Sequence, residues 1–178
     1  QLALRGTLLR RITGSDMVFR IASTVPEGYD ALWNGWRSQE VLSVWKDADY
    51  LRWRYDRNPD HRFTYFFIAR GNEILAQAVG TEIEGALVLC ELLVGGRDLL
   101  VGQRLVLEIC RHVGGRGLRS VKFLACDAGF FDEVLRGFDR RTSWANVFCA
   151  RSFDPGILQE LVPQAANWTV TFGDVDFV

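Results

Sequence analysis

The order of predicted elements assigns this 178-residue chain to the α/β class, with a mixed central sheet flanked by helices on both faces. Short apolar stretches with the spacing of strands are separated by stretches with the 3.6-residue spacing of helices. Antiparallel strands come first, and a strand–helix–strand–helix unit follows them. The predicted order is β-α-β-β-β-α-β-α-β-α-β. The length of the chain fits one domain over residues 1–178.

The first half of the chain supplies a strand, a helical region and a hairpin. Met17–Thr24 alternates like a half-buried strand, and Pro26 and Gly28 mark the turn after it. Apolar residues at helical spacing then continue until Asn58-Pro59, where proline ends the helix. Two further strands, Phe63–Arg70 and Glu73–Glu84, are joined by Gly71-Asn72, a strong hairpin signal.

The second half alternates strands and helices. Ala86–Val94 is apolar almost throughout, which indicates a strand in the interior of the sheet. Two glycines separate it from an amphipathic helix over Leu99–Val113. The remaining predictions are a strand at Ser120–Asp127, a short helix ended by Gly137, a strand over 143–151, a helix over 154–162 and a closing strand or hairpin over 167–178.

Composition excludes several classes of protein. The net charge of -1 argues against nucleic-acid and membrane-surface binding, because no positive field collects phosphates. No stretch approaches the roughly 18 to 20 apolar residues of a spanning helix. Four dispersed cysteines and two histidines indicate free thiols in a reducing, cytoplasmic setting and no metal site. The chain opens at Gln1 without a methionine, so we expect it to be a domain of a longer protein.

Three features together resemble the GNAT (Gcn5-related N-acetyltransferase) superfamily. They are the order of elements, the strand–glycine turn–helix at Val94–Gln103, and "EVLRGF" before a late strand. "DADYLRWRYDRNP" and "WTVTFGDVDF" resemble a branch of it associated with bacterial polysaccharide biosynthesis. The resemblance implies an acyl-CoA-dependent acyltransferase. Its acceptor would be the amine or hydroxyl of a small polar molecule, such as an amino sugar.

The same resemblance places acetyl-CoA at the glycine turn, where the superfamily carries a Q/R-x-x-G-x-G/A pattern. Orphan N–H groups and the dipole at a helix start favour an anion such as pyrophosphate. Arg97 matches the first position and Gly102 the last, but Leu100 stands where the middle glycine belongs. Asp98 could cap the helix and repel phosphate. The implied cofactor-binding residues are Leu93, whose N–H would polarise the acyl carbonyl, and Val94, Gly95, Gly96, Arg97, Leu100, Gly102 and Gln103.

Two carboxylates are candidate general bases. Glu91 is a lone acid in an apolar strand, and burying an unpaired charge is costly, so it must face solvent, a cleft or a partner. It either takes a proton from the acceptor, directly or through water, or simply points to the open face or pairs with an arginine. Asp127, at the end of the following strand, is the second candidate.

An alternative interpretation is a degenerate, non-catalytic GNAT-like domain that binds a ligand or packs on a partner. The superfamily's leaving-group tyrosine falls on Glu133 here, and Leu100 interrupts the cradle. The partner would be a second GNAT-like domain or a second copy of the chain. Trp53 and Tyr55 also leave two interpretations open: aromatic rings packed inward with arginines outward, or a saccharide cleft.

Overall fold

The structure, a computed structural model, describes residues 16–37, 42–123, 125–126, 130–136 and 168–171. The predicted base Asp127, the strand over 143–151 and the helix over 154–162 lie outside these residues.

Eight strands and four helices are described. The helices are α1 (Tyr29–Arg37), α2 (Ala48–Leu51, continued by a π-helical turn over Arg52–Asp56), α3 (Leu99–Gly115) and α4 (Phe130–Val134). The strands are β1 (Met17–Ala22), β2 (Leu42–Ser43), β3 (Phe63–Arg70), β4 (Glu73–Ile83), β5 (Ala86–Val94), β6 (Ser120–Phe123), β7 (Ala125–Cys126) and β8 (Trp168–Thr171).

The main sheet is mixed, as predicted. Its order is β1-β3-β4-β5-β6, antiparallel up to β5 and parallel between β5 and β6. Strand β5 lies between two neighbours and all nine of its residues are buried, which confirms its predicted interior position. A second sheet has the order β2-β8-β7.

Helices cover both faces of the main sheet, which confirms the predicted architecture. On one face α3 and α4 pack through Leu105, Ile109 and Val134. On the other face α1 and α2 pack through Trp33 and Leu51. No helix among the described residues is long and apolar enough to cross a membrane.

A β-bulge interrupts the pairing of β4 with β5. Val79 pairs with Glu91 and Gly80 with Leu89, so Cys90 is the extra residue. Gly80 permits this close approach, because a Cβ there would lie 3.0 Å from the carbonyl oxygen of Val88. A bulge puts two consecutive residues on the same side of a strand. Glu91 consequently shares the α1/α2 face with Cys90, whereas Leu89 faces α3.

Strands β5 and β6 part after a short parallel ladder. The described pairing runs from Ala86–Ser120 to Leu89–Phe123. The chain then continues as β7, which pairs with β8 instead of β5. The prediction of one strand over Ser120–Asp127 is therefore wrong, since the segment serves two sheets. The sequence over Ser120–Asp127 contains no glycine or proline that would signal the change of partner.

Candidate functional site

Glu91 is the centre of a buried polar cluster at the bulge. The cluster comprises Lys46, Tyr55, Glu91 and Thr171, and is called the Glu91 cluster below. Lys46 Nζ donates to Glu91 Oε2 at 2.8 Å and to Thr171 Oγ1 at 3.1 Å. Tyr55 Oη donates to Glu91 Oε1 at 2.7 Å, and Thr171 Oγ1 donates to Glu91 Oε2 at 3.0 Å. Four separate segments of the chain therefore meet at one carboxylate.

The cluster explains how a charge can exist within this core. The Lys46 and Glu91 side chains are only 4% and 1% exposed, and an unpaired charge at that depth would be very costly. Of the alternatives for Glu91, the structure shows a charged partner, Lys46. Sequence reasoning missed Lys46 and Thr171. One available signal was that Lys46 is one of only two lysines in an arginine-rich chain.

Tyrosines hold the cluster from the α1/α2 side. Burial, followed by the negative charge of Glu91, raises the pKa of Tyr55 well above its usual value, so its hydroxyl stays protonated and donates. Burial likewise raises the pKa of Tyr29, whose hydroxyl donates to the carbonyl oxygen of Lys46 at 2.7 Å. Tyr55 lies in the π-helical turn over Arg52–Asp56, and such turns are common at functional sites.

The segment that carries Lys46 is fixed by an N-cap at the next residue. Asp47 Oδ1 accepts from the N–H of Tyr50 at 2.9 Å, and Oδ2 accepts from Trp45 Nε1 at 2.7 Å. The first of these bonds is the main cause that lowers the pKa of Asp47 below 3.8. Both bonds hold the backbone on each side of Lys46.

Replacing this cap should have a modest, pH-dependent effect. Asp47→Ala should lower the free energy of unfolding by about 1 kcal/mol at neutral pH. Because the folded-state pKa of Asp47 is lowered, this stabilisation is fully present above pH 3.8 and is lost as the pH falls through the folded value. Urea unfolding at neutral and acidic pH tests it, with Asp47→Asn as the variant that keeps the cap without the charge. If Asp47→Ala lowered the free energy of unfolding by the same amount at acidic and at neutral pH, the charged cap would not be the source of the stabilisation.

The glycine turn between β5 and α3 contains two consecutive residues with positive φ. Gly96 has φ +59° and Arg97 has φ +52°, a left-handed pair that leads into the helix. A Cβ at Gly96 would meet no atom within 4 Å, so the turn is open there. Arg97 adopts a conformation that is unusual for a residue with a side chain, and its guanidinium carbon lies 5.2 Å from the Phe130 ring centre. The turn is therefore anchored on α4.

Asp98 caps α3 as expected from the sequence. Its Oδ1 accepts from the N–H of Leu100 at 2.9 Å and from that of Val101 at 3.2 Å. These are amides that a pyrophosphate at this helix start would use. The side chain of Leu100 is 40% exposed beside them. The cradle predicted from the resemblance therefore contains its own carboxylate.

The other predicted cofactor residues lie around the turn. Leu93 faces α1 and Val94 faces α3, both buried. A Cβ at Gly102 would lie 3.0 Å from Val134 Cγ2, so Gly102 serves the contact of α3 with α4. Gln103 Nε2 donates to the carbonyl oxygen of Glu133 at 3.1 Å. Glu133 itself forms an ion pair with Arg136.

Two regions of the predicted site bear on the binding of acetyl-CoA: the edge of β5 and the start of α3. At the bulge, the described pairing of β5 with β6 ends at Leu89. Backbone N–H and C=O groups of β5 beyond this point would be available to pair with an extended chain that contains amides. At the helix start, the amides of Leu100 and Val101, which a pyrophosphate would need, are occupied by the Asp98 carboxylate.

Some buried polar atoms near the α1/α2 face have no hydrogen-bond partner in the described structure. They are both polar atoms of the Gln77 amide, and Trp33 Nε1. Gln77 is 1% exposed and pairs with Leu93 across β4 and β5. Orphaned groups of this kind are normally satisfied by water or by a ligand. This face therefore has unmet hydrogen-bonding capacity.

A cavity of about 320 Å³ lies against the glycine turn. Gly95, Gly96 and Asp98 form one wall, and Glu73 and Arg70 stand at the β3–β4 end. The charged groups of its lining are the carboxylates of Glu73 and Asp98 and the guanidinium of Arg70.

The aromatic residues of the α2 segment divide between core and surface. Tyr55 is buried, as the inward-packing interpretation predicts, but Trp53 is 62% exposed and packs on Tyr50 with ring centres 5.8 Å apart. Trp45 is 55% exposed with the Arg37 guanidinium over its ring.

Burial raises the pKa of the Cys90 thiol to about 12, so it supplies no thiolate nucleophile at neutral pH.

Solved structures that superpose on the chain include acetyltransferases. An aminoglycoside acetyltransferase from an uncultured soil metagenomic sample, in complex with sisomicin, superposes with a TM-score of 0.52 at 13% identity, covering 77% of this chain and 98% of that chain. Its complex with trehalose also gives 0.52, at 12% identity and the same coverage. The chain has the GNAT fold.

A ribosomal-protein alanine N-acetyltransferase from Escherichia coli superposes with the chain at a TM-score of 0.50 and 13% identity, covering 70% of this chain and 80% of that chain. No protein-family model and no curated protein matches the sequence. Within the residues that the structure describes, no group of three or more His, Cys, Asp or Glu side chains could hold a metal ion.

Proposed function

We propose that the chain is an acyl-CoA-dependent acyltransferase that transfers an acetyl group to the amine of a small polar acceptor, with amino sugars as the first acceptor class. The observation that carries this proposal is the parting of β5 from β6 beside a bulge that carries a carboxylate. The GNAT fold supports it, because the superposed structures are acetyltransferases.

Each part of the site has a role in the proposed reaction. Acetyl-CoA, when bound, supplies the acetyl group as a reactive thioester. Backbone groups of β5 around Leu93 would hold the acyl end, and the amides of Gly96, Leu100 and Val101 would hold the pyrophosphate. Glu91 would take the proton of the acceptor amine on the α1/α2 face. Asp127, the second candidate for this step, lies outside the described residues.

The proposed acceptor class rests on surface aromatics and unmet hydrogen bonds. Exposed Trp53 and half-buried Tyr50 form a ring pair on the α2 segment that leads to Tyr55 of the Glu91 cluster. Flat aromatic surface with nearby hydrogen-bonding groups suits the apolar face and polar rim of a sugar ring. Gln77 and Trp33 add buried donors and an acceptor on the same face. A primary amine on such a ring would be a suitable nucleophile near Glu91.

A thiol-release assay tests the proposed function. The chain is mixed with acetyl-CoA and one acceptor at a time: glucosamine, an aminoglycoside, and glucose as the control without an amine. We expect catalytic release of free CoA thiol with the amino sugars and not with glucose. No release above the acceptor-free rate with any of them, from a chain shown to be folded by circular dichroism, would contradict the proposal.

The Asp98 cap favours one second candidate, a GNAT-like domain without catalysis. A carboxylate on the amides of Leu100 and Val101 competes with a phosphate for the same donors. The domain would then bind a sugar without acetyl-CoA, or pack on a second GNAT-like domain or a second copy of the chain. Calorimetric binding of an amino sugar without any binding of acetyl-CoA would favour this candidate.

A further inference from the structure

The cavity against the glycine turn lies apart from the Glu91 cluster. It is enclosed by α1, the β3–β4 hairpin and the start of α3, and none of the described residues that line it belongs to that cluster. Gly95 follows Glu91 by four residues, which is about 13 Å along an extended strand. We propose that this cavity is a second binding site, and that its ligand is a small organic cation: a primary ammonium group attached to an apolar body the size of one aromatic ring.

A second β-bulge and two glycines keep the cavity open. The pairing of β3 with β4 shifts register between Ile68 and Ala69, which leaves Leu75 as the extra residue of β4. Leu75 lines the cavity, and bulges are frequent beside functional sites. Gly35 of α1 and Gly96 of the turn also line it, and a Cβ at either position would meet no atom within 4 Å. Both glycines are exposed, so a ligand can enter from solvent.

The size and the floor of the cavity suit one apolar ring. The volume of about 320 Å³ is at the lower end of the range for small-molecule sites, which begins at roughly 300 Å³. The buried part of the lining includes the apolar side chains Met17, Leu32, Ile74 and Val101. Removal of an apolar ring from water against these side chains favours binding.

The rim of the cavity supplies carboxylates for the ammonium group. Glu73 is exposed there, and its carboxylate has no ion-pair partner within the described part of the chain. Asp98 uses Oδ1 to cap α3, which leaves Oδ2 to accept from a ligand. The guanidinium of Arg70 is already paired with Asp16 at 2.8 Å, and that of Arg97 lies against α4. The two carboxylates therefore favour an ammonium group over an anion.

NMR titration of the isotope-labelled chain with 2-phenylethylamine tests the site. 2-Phenylethanol and 3-phenylpropionate are the neutral and anionic controls of similar shape. We expect the amine to bind about tenfold more tightly than the alcohol, because its charge-assisted hydrogen bonds reach the rim carboxylates. The propionate should bind most weakly. The amide signals of Gly35, Gly95 and Gly96 should shift with the same affinity as the bound amine.

Three variants locate the ligand and its charge. Glu73→Gln combined with Asp98→Asn should reduce the preference for the amine over the alcohol from about tenfold to about one, and asparagine keeps the cap of α3. Glu84→Gln, just past the opposite end of β4, should leave that preference unchanged. Gly35→Leu, which adds a side chain at the α1 wall, should weaken binding of the amine by about tenfold or more.

The outcomes decide on the ligand class and on the site separately. Equal affinities for amine and alcohol, or tighter binding of the propionate, would overturn the cationic class. Absence of binding at millimolar amine, shifts confined to other parts of the chain, or unchanged binding by a folded Gly35→Leu variant would overturn the site. None of these results changes the acyltransferase proposal, because that proposal is tested with acetyl-CoA.

Discussion

Lys46→Met should destabilise the fold by about 3–5 kcal/mol, because it leaves the Glu91 carboxylate buried without its counter-charge. The substitution keeps an unbranched side chain of similar length, so lost packing contributes little. It also removes the donor to Thr171 Oγ1, which links the core to β8. Guanidinium unfolding followed by circular dichroism measures the loss.

Two further variants distinguish loss of charge pairing from loss of packing. Lys46→Met combined with Glu91→Gln should recover a large part of the lost stability, because the amide is neutral and can still accept from Tyr55. Lys122→Met on the exposed edge should change stability by less than about 0.5 kcal/mol. A double variant as unstable as Lys46→Met alone would show that the charge of Glu91 is not the source of the effect.

Asp98→Ser should raise the affinity for acetyl-CoA by about tenfold, or about 1.4 kcal/mol. Serine keeps a good N-cap and removes the negative charge from the amides of Leu100 and Val101. Calorimetric titration at two salt concentrations measures it, and the gain should shrink at high salt because charge repulsion is screened. Asp49→Ser, an equal change of net charge on the exposed side of α2, is the matched control.

Leu100→Gly tests the geometry of the same cradle. If the pyrophosphate approaches at the position of the missing family glycine, this variant should also bind acetyl-CoA more tightly, at a cost of about 1 kcal/mol in helix stability. Unchanged affinity for acetyl-CoA in both Asp98→Ser and Leu100→Gly would show that the helix start does not hold the cofactor. The strand opening would then be the only part of the predicted site left to test.

Much of the fold follows from local pattern. The alternation in Met17–Thr24, the Gly71-Asn72 hairpin and the helix after Gly96 are properties of neighbouring residues, and the structure confirms each of them. Glu91 stood out because an acid interrupted an apolar strand. The bulge beside it had a signal in Gly80, whose missing side chain permits the close approach of β5.

The partners of Glu91 could not be predicted from local pattern. Lys46 lies 45 residues before it, in an irregular segment, and Thr171 lies 80 residues after it. Periodicity says which face a residue takes, but it does not say which distant segment meets that face. Trp53 shows the same limit: the pattern favoured burial, and a π-helical turn places the ring outside the core.

Calorimetric titration of the folded chain with acetyl-CoA, with free CoA as the control, tests the central claim most directly. The account predicts a one-site isotherm in the micromolar range for the chain as it is, and tighter binding for Asp98→Ser. Absence of binding up to millimolar acetyl-CoA in both proteins would contradict the proposal that the opening between β5 and β6 is an acyl-CoA site.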